Sequence, residues 1–294
     1  MEPWILATFA AALFQTVRFA LQKRLNMGGL SSAGATWARF LWAAPFLVLG
    51  LGAALVAGQE MPAAAPSFWL FALGGAVGQI AATIWVVSLF RLRHFAVGIT
   101  LKKSEILMTA AMGWAILGDT LPLLAVLAIL IGACGLVVLS LPERGLRPDG
   151  RALMLGLASG AAFAVAGVSY RGATLALMDG SVALRAGVAL TIVVVMQTAI
   201  MAAWFALSDR PQIVAVLRAW RPGLLVGLTS LAGSYCWFAA FAQMNAAVVQ
   251  AVGQVELLFG IAGGVLFFEE RITLREGTGI AALGASILAL IVLT

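Results

Sequence analysis

Charged residues are scarce in this chain. Only 10% of its 294 residues are Asp, Glu, Lys or Arg, whereas 63% are hydrophobic and the mean hydropathy is +1.05. Soluble domains carry about 25% charged residues, because a surface with far fewer could not stay hydrated. The composition therefore excludes a soluble globule. The apolar runs are long and continuous rather than alternating as in a β-barrel, so we expect an all-α membrane protein.

Cysteine and histidine are also rare. Cys134 and Cys236 lie within apolar runs, and His94 is the only histidine. This set excludes a disulfide framework and disfavours a metal site, so we expect neither a metal nor another cofactor. The sequence also lacks the Ser–His arrangement of a hydrolase, and it contains no Walker phosphate loop. We therefore expect a protein that is not an enzyme.

Ten apolar runs are long enough to cross a bilayer, which takes about 20 residues. They span 4–24, 33–57, 67–90, 95–117, 121–141, 152–175, 180–206, 221–243, 246–268 and 273–293. Eight of the nine prolines fall between runs or at helix starts. Pro45 lies inside the second run, where it predicts a kink.

Basic residues mark every second loop. Loops after odd-numbered spans hold Lys23, Arg24, Arg91, Arg93, Arg144, Arg147, Arg151, Arg210, Arg218, Arg221, Arg271 and Arg275. Loops after even-numbered spans carry only acids, at Glu60, Asp119 and Asp179. Because cytoplasmic loops carry the excess of Lys and Arg, both termini are expected outside a cell inner (plasma) membrane. The net charge of +6 then reflects topology, and we expect no nucleic-acid partner.

The second half of the chain repeats features of the first. Glu105 aligns with Glu256, an offset of 151 residues, and Leu107 aligns with Leu258 at the same offset. Five spans are an odd number, so the second half would cross the membrane upside down. We predict two inverted five-helix repeats, 1–141 and 152–294, joined by a cytoplasmic linker at 142–151. Such repeats are typical of secondary transporters.

Two features carry a family resemblance. Arg39-Phe40-Leu41 in the second span resembles the Arg-Phe-Leu motif of EamA-type members of the drug/metabolite transporter (DMT) superfamily. Glu105 and Glu256 each stand fourteen residues before an acidic turn residue, Asp119 and Glu270, which resembles that family's acidic element running to a Gly-Glu turn.

The chain departs from the family pattern at Ile106 and Leu257, which replace a proline, at Asp119, and at the doubled Glu269-Glu270 turn. The resemblance covers both halves and implies ten helices around a central substrate site. Within the superfamily the chain is most similar in general character to YddG-like amino-acid exporters.

Eight charged residues fall inside the predicted spans away from their terminal residues, where each is costly. Arg18, Arg39, Arg171 and Arg185 lie near span ends, so we expect their stems to reach the membrane surface. Glu105, Glu256, Lys102 and Lys103 lie deeper.

The two glutamates admit two interpretations. The repeat favours structural ion pairs of Arg39 with Glu105 and of Arg185 with Glu256. The alternative is a substrate contact or proton carrier. Lys102 is also expected to pair with Glu105 at i,i+3. Lys103 points elsewhere, either into a cavity or to a helix–helix salt bridge.

Other polar and aromatic residues predict a substrate cavity at mid-depth, with packing against a neighbouring helix as the alternative for each. Together with Lys103 they are Gln79, Thr83, Trp85, Tyr235, Trp237, Gln250 and Gln254. An apolar cavity with a few polar groups is typical of small-molecule sites.

Three glycine motifs predict close helix crossings within one chain, at Gly74-xxx-Gly78, Gly156-xxx-Gly160 and Gly260-xxx-Gly264. A homodimer through these motifs is the alternative to a monomer.

We expect a secondary transporter that exports or exchanges small metabolites, in particular aromatic or hydrophobic amino acids, by alternating access around a cavity at mid-depth. Its partners would be a small-molecule substrate and the lipid bilayer. The alternatives are a broad-specificity drug or metabolite efflux protein and, from other classes, a channel or an intramembrane enzyme.

Overall fold

A computed structural model describes residues 2–89, 92, 101–140, 150–259 and 273–293. These residues are almost entirely helical and contain no β-strand; the one backbone bridge among them joins Ala64 to Leu177. The expected all-α class is confirmed.

Twelve helices have bounds within the described residues, and residues 101–102 and 255–259 are helical as well. The twelve are α1 (Pro3–Met27), α2 (Ser32–Leu41), α3 (Ala44–Val56), α4 (Ser67–Leu89), α5 (Glu105–Leu117), α6 (Leu123–Ser140), α7 (Gly150–Leu175), α8 (Val182–Ser208), α9 (Arg210–Arg218), α10 (Trp220–Phe241), α11 (Ala246–Val252) and α12 (Leu274–Leu293).

Six helical segments of the described chain are long and apolar enough to cross a membrane. They are Pro3–Met27, Ser32–Val56, Ser67–Leu89, Gly150–Leu175, Val182–Ser208 and Trp220–Phe241. Each coincides with one of the ten predicted spans. Apolar helices at Glu105–Leu117, Leu123–Leu139, Ala246–Phe259 and Gly277–Leu293 are shorter. The chain is thus a helical protein of membrane type.

The second predicted span is interrupted where Pro45 predicts a kink. Helix α2 ends at Leu41, and α3 begins at Ala44 with Pro45 in its first turn. Proline lacks the N–H that a continuous helix would need at this position, so the chain restarts there as a new helix.

Helix ends gather at two opposite faces of the bundle. On one face, the Gln212 side chain of α9 accepts a hydrogen bond from the Ser31 hydroxyl in the turn before α2 (3.1 Å). This face also carries Lys23, Arg24 and Arg218, and we name it the basic face. On the opposite face, Ala65 N donates to Ala176 O (2.9 Å) and joins the turn before α4 to the turn after α7.

Glycines allow the closest helix crossings. Gly78 of α4 lies against the backbone of α7, where an added Cβ would stand 3.0 Å from Ala162 O. Gly233 of α10 faces α1, with Phe14 Cβ 3.1 Å from the same built position. Helices α6 and α12 cross at Gly135 and Gly279. Small residues let the backbones of two helices approach closely. This matters in a membrane, where dispersion contacts rather than the exclusion of water drive helix association.

Two arginines differ from their expected placement. Arg18 and Arg39 are only 3% and 6% exposed, so the expectation that their stems reach the surface is wrong for both. The reason is that both guanidinium groups find hydrogen-bond acceptors inside the bundle. Arg18 Nη1 donates to Gln22 Oε1 (2.9 Å), and Arg39 Nε donates to Ser230 Oγ (2.6 Å). A buried guanidinium is tolerated where such acceptors surround it.

Some predicted features lie outside the described residues. They are His94, Arg91, Arg93, linker positions 142–149, the Gly260-xxx-Gly264 motif and the Glu269-Glu270 turn.

The α6–α12 crossing yields the first prediction. A Cβ at Gly135 would stand 2.8 Å from Ala282 Cβ and 3.0 Å from both Gly279 O and Leu283 N. Since backbone atoms cannot yield as a flexible side chain does, Gly135→Ala should lower the free energy of unfolding by about 1–3 kcal/mol. The measurement is the melting temperature of the purified protein in detergent.

The control lies on the same pair of helices. A Cβ at Gly284 of α12 would meet no atom within 4 Å. Gly284→Ala should leave the melting temperature unchanged or raise it slightly, because alanine favours helix. Equal losses in the two variants would contradict the close crossing at Gly135.

Candidate functional site

A cavity of about 60 Å³ lies among the long helices, away from both faces. Seven helices and the two short breaks described below enclose it. Its lining consists of Gln15, Arg39, Gln79, Lys102, Glu105, Phe163, Gly167, Tyr170, Ser234, Trp237, Phe238, Phe241, Gln250, Gly253, Gln254 and Glu256. We name it the central cavity.

One wall of the central cavity is aromatic. The Tyr170 and Phe238 rings lie 4.3 Å apart between centroids, and Trp237 stacks on Phe241 at 5.6 Å with an interplanar angle of 20°. The Lys102 ammonium lies 4.4 Å from the centroid of the Phe163 ring. This wall offers planar apolar surface to a ligand and a cation held over an aromatic face.

Two helix breaks adjoin another part of the lining: Lys102 and Glu105 flank the first, and Gly253 and Gln254 form the second. Turns replace regular helix at Lys103-Ser104, just before α5, and at Gly253-Gln254, just after α11. The hydrogen bonds tighten to i→i−3 at both, from Ser104 N to Leu101 O (3.0 Å) and from Glu256 N to Gly253 O (3.1 Å). Such breaks expose polar backbone and occur in membrane proteins where the backbone lines a cavity.

Glycines on neighbouring elements accommodate these breaks. A Cβ at Gly160 of α7 would stand 2.7 Å from Lys102 O, so only glycine lets α7 lie against the first break. At the second break Gly253 contacts the Trp237 indole, and a Cβ there would overlap the ring. Trp237 is thereby held flat against the broken backbone.

Both buried glutamates pair with lysine. Lys102 Nζ bonds Glu105 Oε1 at 2.8 Å, which confirms the expected i,i+3 pair. Lys103 forms an ion pair with Glu256 across the two breaks, which is the helix–helix salt bridge considered for it. Gln15 Nε2 also donates to Glu256, to Oε2 at 2.6 Å.

The arginine pairs expected for these acids are wrong. Arg39 donates to three hydroxyls instead, those of Ser230 (2.6 Å), Ser234 (3.1 Å) and Thr83 (3.2 Å). Arg185 has a buried Nε without a hydrogen-bond partner and makes no salt bridge with a described carboxylate. The physical reason is proximity, because the lysines lie beside the helix breaks within salt-bridge distance of the glutamates. Arg39 instead lies among two serines and a threonine, whose hydroxyls accept its hydrogen bonds.

Buried positive charge therefore exceeds buried negative charge around the central cavity. The described cations there are Arg18, Arg39, Lys102 and Lys103, and the described anions are Glu105 and Glu256. Four cations and two anions leave an excess of two positive charges. In a medium of low dielectric constant this excess favours an anionic group in the cavity.

Gln250 and Gln254 lie one turn apart, and both line the central cavity, as one of their two interpretations predicts. Gln250 accepts a hydrogen bond from Thr109 (2.5 Å), and Gln254 Nε2 donates to Gln250 O (3.0 Å). Gln254 Oε1 has no partner although the residue is only 4% exposed. An unsatisfied buried acceptor costs about 1–3 kcal/mol, so it is a natural site for a ligand donor.

The remaining predicted residues divide between several places. Gln79 and Trp237 line the central cavity, and Thr83 stands behind it as a partner of Arg39 and Gln79. Trp85 packs against the hydrophobic core away from the cavity. Lys103 touches Glu256 but is not part of the lining; Lys102 takes that position.

Tyr235 lines a second cavity of about 380 Å³ between α3, α8 and α10. Its hydroxyl donates to Ala183 O at 3.2 Å. Because Tyr235 follows Ser234 of the central cavity, α10 contributes neighbouring residues to both spaces.

The sequence interpretation missed Gln15, Phe163 and Tyr170. Gln15, Arg18 and Gln22 recur at spacings of three and four residues, which puts them on one face of α1. That spacing was a usable signal. Phe163 and Tyr170 are seven residues apart on α7 and resemble any core aromatic in sequence, so nothing marked them.

A separate ion pair closes the face opposite the basic face. Arg171 holds Asp119 with two hydrogen bonds, of 2.5 and 3.0 Å, and donates to the carbonyls of Phe241 (3.0 Å) and Met244 (2.8 Å). One guanidinium thus ties α7 to the turn after α5 and to the turn between α10 and α11. Within the described residues, no three His, Cys, Asp or Glu side chains stand close enough to hold a metal ion.

The Lys103–Glu256 pair yields the second prediction. Glu256→Gln leaves the Lys103 ammonium buried without a counter-charge, so the free energy of unfolding should fall by about 3–5 kcal/mol. Lys103→Met combined with Glu256→Gln removes both charges and should recover most of the loss. Melting temperatures in detergent measure both, and Glu60→Gln, at an exposed carboxylate, is the control. Equal losses in the single and double variants would contradict this pairing.

Comparison with known proteins supports the fold alone. Neither a protein-family model nor a curated protein matches the sequence. A crystal structure of another protein superposes with a TM-score of 0.69 at 16% sequence identity, covering 99% of this chain and 97% of that one. A similar arrangement of helices therefore occurs along nearly the full length of a protein with a largely different sequence.

Proposed function

We propose that this protein is a secondary transporter that exports or exchanges small metabolites, in particular amino acids with aromatic or hydrophobic side chains. One observation carries the proposal. A cavity between the faces combines an aromatic wall, an excess of buried cations and a buried acceptor without a partner. This combination suits a zwitterion with an apolar side chain.

The lining assigns a place to each part of such a substrate. Arg39 lines the cavity and donates only three of its N–H groups to hydroxyls. Its remaining N–H groups can donate to a carboxylate. Gln254 Oε1 can accept from the ammonium, and Trp237 with Phe241 can pack on an apolar side chain. The site needs no metal for this recognition.

The volume of the central cavity implies movement. About 60 Å³ is below the roughly 300–1,000 Å³ of most ligand sites. A ring-bearing amino acid could enter only if the enclosing helices separate. Alternating access supplies such a change, because the helices of one half move relative to those of the other.

We propose that the mobile halves are two inverted five-helix repeats in a ten-helix bundle. Equivalent helices would be α4 and α10, α1 and α7, and α6 and α12. Matched packing supports this: α4 packs along α7 as α10 packs along α1, and α6 crosses α12. The helix breaks beside Glu105 and Glu256 lie within one residue of aligned positions, which is further support.

The resemblance to EamA-type members of the DMT superfamily remains a proposal, and the position of Arg39 supports it. This arginine, the first residue of the Arg-Phe-Leu motif, lines the central cavity, while Phe40 is fully buried behind it. A role in substrate recognition explains why a costly buried cation stands in this motif.

We propose exchange down a concentration gradient rather than proton coupling through the buried acids. Glu105 and Glu256 each have a lysine partner, so protonating either would strand a buried ammonium. Broad-specificity drug efflux is the second candidate, favoured by the aromatic wall, which can accept many planar molecules.

Counterflow in proteoliposomes tests the proposal. Vesicles preloaded with unlabelled phenylalanine should accumulate labelled phenylalanine transiently, and the rate should saturate. Gln254→Leu removes the acceptor offered to the ammonium and should lower the rate at limiting substrate about tenfold. Gln243→Leu is the matched control, since the Gln243 amide lies outside the cavity and donates to Ala239 O.

Several outcomes would reject it. No counterflow for any amino acid excludes an amino-acid exchanger, and counterflow for cationic dyes alone selects drug efflux. Flux without saturation indicates a channel, and chemical conversion of the ligand indicates an enzyme. An imposed pH gradient should leave the phenylalanine rate unchanged; acceleration that Glu105→Gln or Glu256→Gln abolishes would restore proton coupling.

Membrane orientation can be tested separately. The proposed topology puts the basic face in the cytoplasm and both termini outside the plasma membrane. In a background with Cys134 and Cys236 replaced by alanine, a membrane-impermeant maleimide should label Gln59→Cys on intact cells and Arg218→Cys only after lysis. The reverse pattern would overturn the orientation while leaving the transport proposal untouched.

A further inference from the structure

A third cavity opens on the basic face, far from the central cavity. Its volume is about 510 Å³, and it lies where the turn after α1 meets the junction of α9 and α10. The lining residues are Arg24, Leu25, Gly28, Gly29, Leu30, Ala215, Arg218, Ala219 and Pro222. We name it the basic-face cavity.

Local backbone geometry makes this cavity. Gly29 has a φ of +106°, a conformation that other residues rarely adopt, and it lets the chain turn tightly from α1 towards α2. The turn leaves Arg24 of the last turn of α1 on one side of the cavity. Arg218, the last residue of α9, stands on the other side.

No acid among the described residues balances these two arginines. Both are exposed, and neither forms a salt bridge with a described carboxylate. The lining contains no acidic residue. Asp209, the acid that precedes α9, is separated from Arg218 by about 13 Å of helix. Two guanidinium groups on one concave surface favour a phosphate, because their forked donors match its oxygens.

Helix α9 connects this charge with the lipid phase. Val216 is fully buried, and Gln212 binds Ser31, which fixes the helix against the bundle. Val214 and Leu217 are 48% and 47% exposed on the other side of the helix. Trp220, which follows α9, is 49% exposed. This distribution is typical of a short helix in the plane of a membrane interface, where the outward apolar side chains contact acyl chains.

We propose that the basic-face cavity binds the phosphate headgroup of an anionic phospholipid through Arg24 and Arg218. The exposed apolar residues beside the cavity distinguish a lipid from free phosphate, because they offer contact to acyl chains that a free ion lacks. Basic pockets between helices at a membrane surface recognise anionic headgroups in this way. This site is independent of the central cavity and of the substrate.

Equilibrium binding of a fluorescently tailed phosphatidylglycerol to the full chain in detergent tests the site. Arg24→Gln combined with Arg218→Gln should weaken binding roughly 25-fold, since each surface cation contributes about a fivefold increase in affinity. Arg210→Gln combined with Arg221→Gln is the matched control. It removes the same charge from the same face but outside the cavity. Because salt screens charges that do not contact the headgroup, this pair should leave the affinity in physiological salt within about twofold of wild type.

Three results would overturn the inference. Equal weakening by the control pair indicates unspecific attraction to a basic surface. Equal affinity for phosphatidylcholine removes the role of the headgroup charge. Displacement of the lipid by millimolar inorganic phosphate, with no dependence on the acyl chains, assigns the cavity to free phosphate. Unchanged melting temperatures of both variants without lipid verify that any loss of binding is not a loss of folding.

Discussion

The structure depends on burying charge inside an apolar bundle without leaving it unsatisfied. Lys103 and Glu256 meet across two broken helices, and Lys102 and Glu105 meet beside the first break. A lone charge at this depth would be costly, whereas a paired charge holds the two breaks together. Because the backbone at each break is tightened to i→i−3 bonds, the same interaction also determines the shape of the central cavity.

The distribution of satisfied and unsatisfied groups gives this cavity its chemistry. Arg39 is held by three hydroxyls rather than by a carboxylate, so it keeps its charge uncompensated within the described part of the molecule. Gln254 Oε1 has no hydrogen-bond partner in the part of the chain that the structure describes. Buried polar groups in a membrane protein are normally paired, so an uncompensated cation and an unpaired acceptor on one aromatic-walled cavity make it the candidate site.

Close contacts at glycine and an ion pair at one face hold together the helices of the bundle. Gly160 and Gly253 let a helix and an indole lie directly on the breaks, while Gly135 and Gly279 bring α6 and α12 together. On the face opposite the basic face, Arg171 ties three segments through Asp119 and two carbonyls. The bundle thus combines an ion pair that closes one end, close helix contacts at glycine and a small central cavity.

The membrane class, the kink at Pro45 and six of the ten spans followed from the sequence, because apolar length and proline act locally. The burial of Glu105 and the pair Lys102–Glu105 followed as well, because both depend on position along one helical segment. Tertiary structure alone decided that Lys103, not Arg185, meets Glu256, that Arg39 turns to hydroxyls, and that Phe163 and Tyr170 reach the cavity. Sequence spacing defines which residues share a face of one helix. Their partners on other helices depend on how the helices pack. The packing depends in turn on close contacts of glycines and aromatic side chains that are spread over the whole chain.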